Sequence, residues 1–218
     1  MLNKRKKRYD EFDLYEYADL IFKTLERRYI ALFNRLKNLP DDEKAVIEAV
    51  NKVYAEVDDI TRKYLLLLAK KVYKQIIKEL DGDFFLEIIS YEWLMGILEA
   101  YDPVTKYVYT HEVDRKRART VESIIASQDK PKEVDTAKKQ FSKQAKQYAD
   151  NVVISAVEQA FTDMNIKEVV WETEEDLRVC PVCEDLDGLI FRMQDVPPKP
   201  HYGCRCWLTP LEIWTRNE

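Results

Sequence analysis

Every cysteine of this chain lies near its C-terminal end, where Cys180-Pro181-Val182-Cys183 is followed, beyond a proline-rich stretch, by His201-Tyr202-Gly203-Cys204-Arg205-Cys206. A thiol pair bracketing two residues on one tight turn, with a second His/Cys group a short loop away, is how a chain closes a tetrahedral zinc shell from two knuckles. The set with matched spacing is Cys180, Cys183, His201 and Cys204, with Cys206 as the reserve ligand. Five candidate donors are enough to fill the shell and leave no position open to water, so the predicted role of the metal is structural. Reduced, unliganded thiols and a disulfide are the competing readings.

The elements around these ligands read as a small β structure. Residues 167–172, Lys-Glu-Val-Val-Trp-Glu, alternate in part and predict a strand, and Asp187-Gly188 sets a hairpin turn before the short apolar run Leu189-Ile190-Phe191. Val196-Pro197-Pro198-Lys199-Pro200 cannot be helix or central strand and is predicted as an extended connection that delivers His201. So short a tail buries little apolar surface, which is why a metal would help it fold.

Trp171, then Asp176-Leu177-Arg178-Val179-Cys180 with Cys183, then Leu186-Asp187-Gly188 and Phe191, then Pro198 to His201 and Cys204-Arg205-Cys206, resemble the C-terminal signature of phage minor head proteins similar to the F protein of phage Mu. The order and spacing cover a good part of the last quarter of the chain. The resemblance implies a structural protein of the phage head, not an enzyme, that associates with the portal protein, with further copies of itself or with other head proteins. It implies a role in head morphogenesis or DNA delivery and a passage from the host cytoplasm during assembly to the virion. It also implies a mechanical part for the tail, whose Trp171, Trp207, Tyr202 and Trp214 would form a rigid contact surface; packing around the metal is the alternative role for these rings.

The remainder of the chain must be the body that carries this module. Its 218 residues, 34% of them charged and only 4 of them glycine, suit long solvated helices. Leu14, Tyr17, Ile21, Leu25, Tyr29, Leu32 and Leu36 recur at helical spacing until Pro40. Beyond it, Val46, Val50, Val53, Val57, Ile60, Tyr64 and Leu67 alternate four and three, and the run continues to Leu80. A helix from about Asp42 to Leu80 would be on the order of 55 to 60 Å long and needs partner helices. The apolar stretch from Phe84 to Tyr101 predicts a buried helix, residues 104–110 a short extended segment, and His111 to Ser127 another helix ended by Asp129-Lys130-Pro131. The last long helix is predicted from Val134 or Asp135 to about Asp163. The fold class is thus mainly α: an extended bundle-like body over residues 1–165, with a basic arm at 1–9, and a small β-rich, zinc-tied module over 166–218.

Two basic clusters bear on partners. Lys4, Arg5, Lys6, Lys7 and Arg8 are placed to contact DNA or an acidic partner by counterion release, or to form a solvated arm on a chain of net charge -5. Arg115, Lys116, Arg117 and Arg119 stand among Glu112, Asp114 and Glu122, where ion pairing along a helix surface accounts for them. Basic residues 3–8 are followed by acidic sequence and not by an apolar stretch, which argues against a signal peptide, and no apolar run is long enough to span a bilayer. Phosphate-loop, nucleophile-elbow and H-E-x-x-H patterns are missing from the sequence. Asp176 and Arg178 are placed to brace the loop before the first thiol pair, beside Trp171 and the Asp187-Gly188 turn. A zinc-finger-type DNA-binding protein or nuclease is the alternative function, weakened because His201, as a ligand, leaves no general base.

Overall fold

The computed structural model describes residues 14–80, 82–83, 87–103, 106–173, 179–201, 204 and 206–215. The basic arm, Asp176, Arg178, Tyr202 and Arg205 lie outside them. Five helices form the body: α1 (Leu14–Asn34), α2 (Glu43–Glu79), α3 (Tyr91–Glu99), α4 (Tyr109–Ala126) and α5 (Lys130–Asp163). The tail adds β1 (Glu168–Glu172), α6 (Pro181–Leu186), β2 (Ile190–Arg192), β3 (Trp207–Pro210) and α7 (Leu211–Trp214). Among the described residues no helix is long and apolar enough to cross a membrane.

The long α2 exists because its apolar residues keep one face for most of its length. Val46, Val50, Val53, Val57, Leu65, Leu68, Val72 and Ile76 are all buried, and Asp42 caps the first turn by accepting from the Lys44 amide at 3.1 Å. The partner that covers this face is α5, with α1 and α4 alongside. α5 contributes Ala137, Ala145, Ala156 and Ala160, all buried, and small side chains let two long helices approach closely. At the centre Phe141 meets Tyr29 and Tyr54 edge-on, with ring centroids 5.4 and 5.7 Å away.

The buried tyrosine hydroxyls all find partners. Thr61 Oγ1 donates to the Val57 carbonyl, so its 2.6 Å contact with Tyr29 leaves the tyrosine as donor. The same logic orients Tyr54 toward Thr120, whose own hydrogen goes to the Lys116 carbonyl. Burial raises the Tyr54 phenol to about 12, keeping it a donor.

Three helix boundaries differ from the sequence reading. α5 begins at Lys130, ahead of the expected Val134 or Asp135, because Pro131 sits in the first turn, where its missing N–H costs nothing, and Asp129 caps the helix by accepting from Lys132. Its start is also anchored: Lys130 Nζ donates to the Leu39 and Pro40 carbonyls and pairs with Asp41. α3 starts only at Tyr91, where Ser90 caps it, and not at Phe84, which lies outside the described residues. The expected extended stretch shrinks to a bridge between Asp102 and Tyr107, because the chain is already helical from Tyr109.

The tail forms a three-stranded antiparallel sheet of order β2-β1-β3. β1 is central and buried on both faces: Val169 and Trp171 join the same apolar core as the helices, and Val170 is equally buried. α7 packs across β1 and β3. The predicted hairpin at Asp187-Gly188 is corrected, since this turn ends α6 and leads into β2, with Gly188 at φ +74°. Trp171 is corrected as well. At 2% exposure it is core and cannot form a contact surface.

Candidate metal centre

The first thiol pair is set by α6. Cys180 is in extended conformation at the helix N-cap, Pro181 fixes the first turn, and the Cys180 sulfur accepts from the Cys183 amide at 3.4 Å. This turns Cys183 inward, where it is buried, while Cys180 stays half-buried. The turn is held to the sheet twice: the Asp187 carboxylate accepts from the Thr173 amide at 2.8 Å, and the Gly188 amide donates to the Trp171 carbonyl at 2.8 Å. Asp187, Gly188 and Trp171 thus tie the end of α6 to the sheet.

The second group arrives along the extended, proline-bearing stretch 196–199. Lys199 Nζ donates to the Cys204 carbonyl at 3.1 Å, and the Cys204 amide closes a turn onto the His201 carbonyl at 3.4 Å. Cys206 follows directly ahead of β3, whose pairing with β1 fixes its position.

The fold brings all five predicted donors together. The ligand atoms of Cys180, Cys183 and His201 lie within 4.8 Å of one another, and so do those of Cys183, Cys204 and Cys206. Cys183 belongs to both groups, with its Sγ 3.8 Å from His201 Nε2 and 3.4 Å from Cys204 Sγ. Two thiolates at about 2.3 Å from a tetrahedral zinc ion are about 3.8 Å apart, so these separations fit such a site. All four cysteines are free thiols, and a set of buried soft donors with one imidazole suits zinc.

Proton affinities within the cluster diverge. The Cys183 amide and thiol hydrogen bonds lower Cys180, whereas burial pushes Cys183 up to about 12. A hydrogen bond from Cys206 lowers Cys204 to about 5, and the same pairing, with burial, raises Cys206.

Beneath the module lies a cleft of about 70 Å³ that sequence reasoning did not foresee. Ile76 of α2, Val153 and Val157 of α5, and Trp171, Cys206 and Leu208 of the module line it. The Trp171 Nε1–H is buried there without a hydrogen-bond partner among the described residues. Glu158, also on this cleft, has its carboxyl raised by burial, an effect the Lys199 charge opposes.

On α4 three of the four clustered cations are ion-paired as expected: Arg115 and Lys116 both reach Glu112, at 2.6 and 3.0 Å, and Arg117 reaches Asp114 at 3.1 Å, whereas the exposed Arg119 has no ion pair among the described residues. His111, near the start of that helix, is exposed.

Comparison with known families decides what this assembly is. The family described as Phage Mu protein F like protein matches residues 101–209, half of the chain, from the loop before α4 to Thr209 of β3. The chain belongs to the phage Mu F-like family. No curated protein and no solved structure matches it. The matched span contains all five donors, Trp171 and the Asp187-Gly188 turn, so the metal centre belongs to the part of the chain shared with the phage Mu F-like family. Membership puts the chain in a phage structural, morphogenesis-associated family and not among enzymes.

Proposed function

We propose that this chain is a minor structural protein of a tailed-phage head that docks on the portal and acts in head morphogenesis or DNA delivery. The observation that carries this reading is the family match over α4, α5 and the metal module as far as Thr209. The helical body, residues 1–165, supplies length and rigidity through the α2–α5 pairing, and the module, residues 166–218, is tied by a structural zinc ion. Cys180, Cys183, His201 and Cys204 hold the metal, with Cys206 as the alternate fourth ligand; the chemistry the ion supplies is a rigid cross-link between α6 and the loop that leads to β3. The chain assembles with the portal, other copies of itself or other head proteins in the host cytoplasm and then enters the virion. The positive charge of Lys4 to Arg8 suits contact with packaged DNA.

Co-expression of the chain with the portal protein of the same phage tests the proposal. The portal ring is isolated and this chain is quantified in the ring peak. Recovery in a fixed ratio to the ring supports the reading. A chain that stays free of the ring while retaining DNA would overturn it in favour of a nucleic-acid-binding protein.

A further inference from the structure

A second polar site lies on the body, away from the cysteines. Between α4, α5 and Tyr107 is a cavity of about 370 Å³, within the size range of ligand sites. Its wall from α5 presents three carboxamides, Gln140, Gln144 and Gln147. Gln144 is only 3% exposed, yet neither its Nε2 nor its Oε1 has a hydrogen-bond partner among the described residues. A buried amide in that state lacks both an acceptor for its N–H groups and a donor for its oxygen.

We propose that this groove binds an extended, acidic peptide segment of a partner protein, with a peptide group of that segment pairing with the Gln144 amide. A peptide unit offers a C=O and an N–H side by side, the complement of a carboxamide. From Gln140 to Gln147 α5 rises about 10.5 Å, the length of roughly three residues of extended chain, so the three amides match a short strand-like segment. Charge sets the acidic preference. Glu112 in the opposite wall is buried and already neutralised by Arg115 and Lys116, which leaves Lys143 at the rim with no ion pair among the described residues. The half-exposed Tyr107 ring, with the Arg115 guanidinium 5.1 Å from its centroid, adds a flat contact at the mouth. A nucleic acid fits less well: Arg115 and Lys116 are committed to Glu112, which leaves Lys143 to face a backbone that carries a charge at every nucleotide. The proposal does not depend on the portal reading.

The test uses the full chain and four fluorescein-labelled probes: decapeptides of repeating Gly-Asp, Gly-Ser and Gly-Lys, and a dT decamer. Anisotropy reads binding, and the side-chain amide resonances of Gln144 read its location. The Gly-Asp peptide is expected to bind most tightly and to shift those resonances. Gln144→Leu is expected to weaken it tenfold or more while the unfolding midpoint holds or rises, and Lys143→Ala, at an exposed position, to weaken it severalfold. Failure of every probe to move the Gln144 amide would mean that the groove holds solvent only, and would overturn the proposal. Equal response to the neutral peptide, stronger response to dT, or undiminished binding by both variants would overturn it too.

Discussion

Trp171 is the side chain through which the metal module and the helical body share one core, and its replacement gives a sharp contrast. It is 2% exposed, pairs with Leu208 across the strands, meets the Phe191 ring at 6.4 Å and lines the cleft against α5. Trp171→Ala removes the whole indole, and a fully buried aromatic truncated to alanine costs about 3–5 kcal/mol. Trp171→Phe is different. The smaller ring gives up the volume of one or two methylenes, about 1 kcal/mol. It also deletes the Nε1–H, which has no partner among the described residues, and relief of a buried unpaired donor returns about 1–3 kcal/mol. The phenylalanine variant should therefore lie within about 1 to 2 kcal/mol of the wild type in urea unfolding followed by far-UV circular dichroism, with an unchanged dependence on urea. A phenylalanine variant as unstable as the alanine variant would show that the indole N–H is bonded in the folded protein. A harmless Trp171→Ala would refute the shared core itself.

Three further outcomes follow from the same geometry. Cys183→Ala should lower metal affinity by about a hundredfold or more, since Cys183 belongs to both donor groups and an apparent 10–16 kcal/mol spread over four ligands is roughly 3 kcal/mol each; of Cys204→Ala and Cys206→Ala, competition against a chromophoric chelator should show one within about tenfold of wild type. Burial raises the Glu112 carboxyl, but hydrogen bonds from Arg115 and Lys116 outweigh it and hold it below the ordinary range, so its stabilisation is complete above the unfolded value near pH 4.5 and lost as pH falls through the lower folded value; wild type and Glu112→Gln should differ in urea midpoint at pH 7 and converge in acid. Gly188→Ala meets no steric neighbour but keeps a φ of +74°, so it should cost about 1–2 kcal/mol in urea unfolding through backbone strain alone.

Where periodicity was long, the sequence was a sound guide. The reading of a helix from about Asp42 to Leu80 meets an α2 of Glu43–Glu79, because a four-three alternation of valines and leucines over many turns admits only one buried face. The five donors came together as spacing implied, since two short loops and a proline-stiffened stretch leave little freedom. Shorter features were hidden. Pro131 reads equally as the end of one helix or the first turn of the next, and the capping hydrogen bond of Asp129 decides it. The α6 turn had a signal in Cys180-Pro181, an extended cap followed by proline, obscured by attention to the cysteine as ligand. β3 exists through its pairing with β1, a partner far back in the chain, so local pattern could not announce it. Nothing in a helix rich in Lys and Gln distinguishes Gln144 from its exposed neighbours; only the packing of α4 against α5 buries it.

The most direct test of the account is zinc K-edge absorption spectroscopy with metal quantification on the purified chain. The account predicts about one zinc per chain, in a shell of three sulfurs at about 2.3 Å and one imidazole nitrogen at about 2.0 Å. A chain that folds with its sheet intact and carries no zinc, with its thiols reduced or joined in a disulfide, would contradict it.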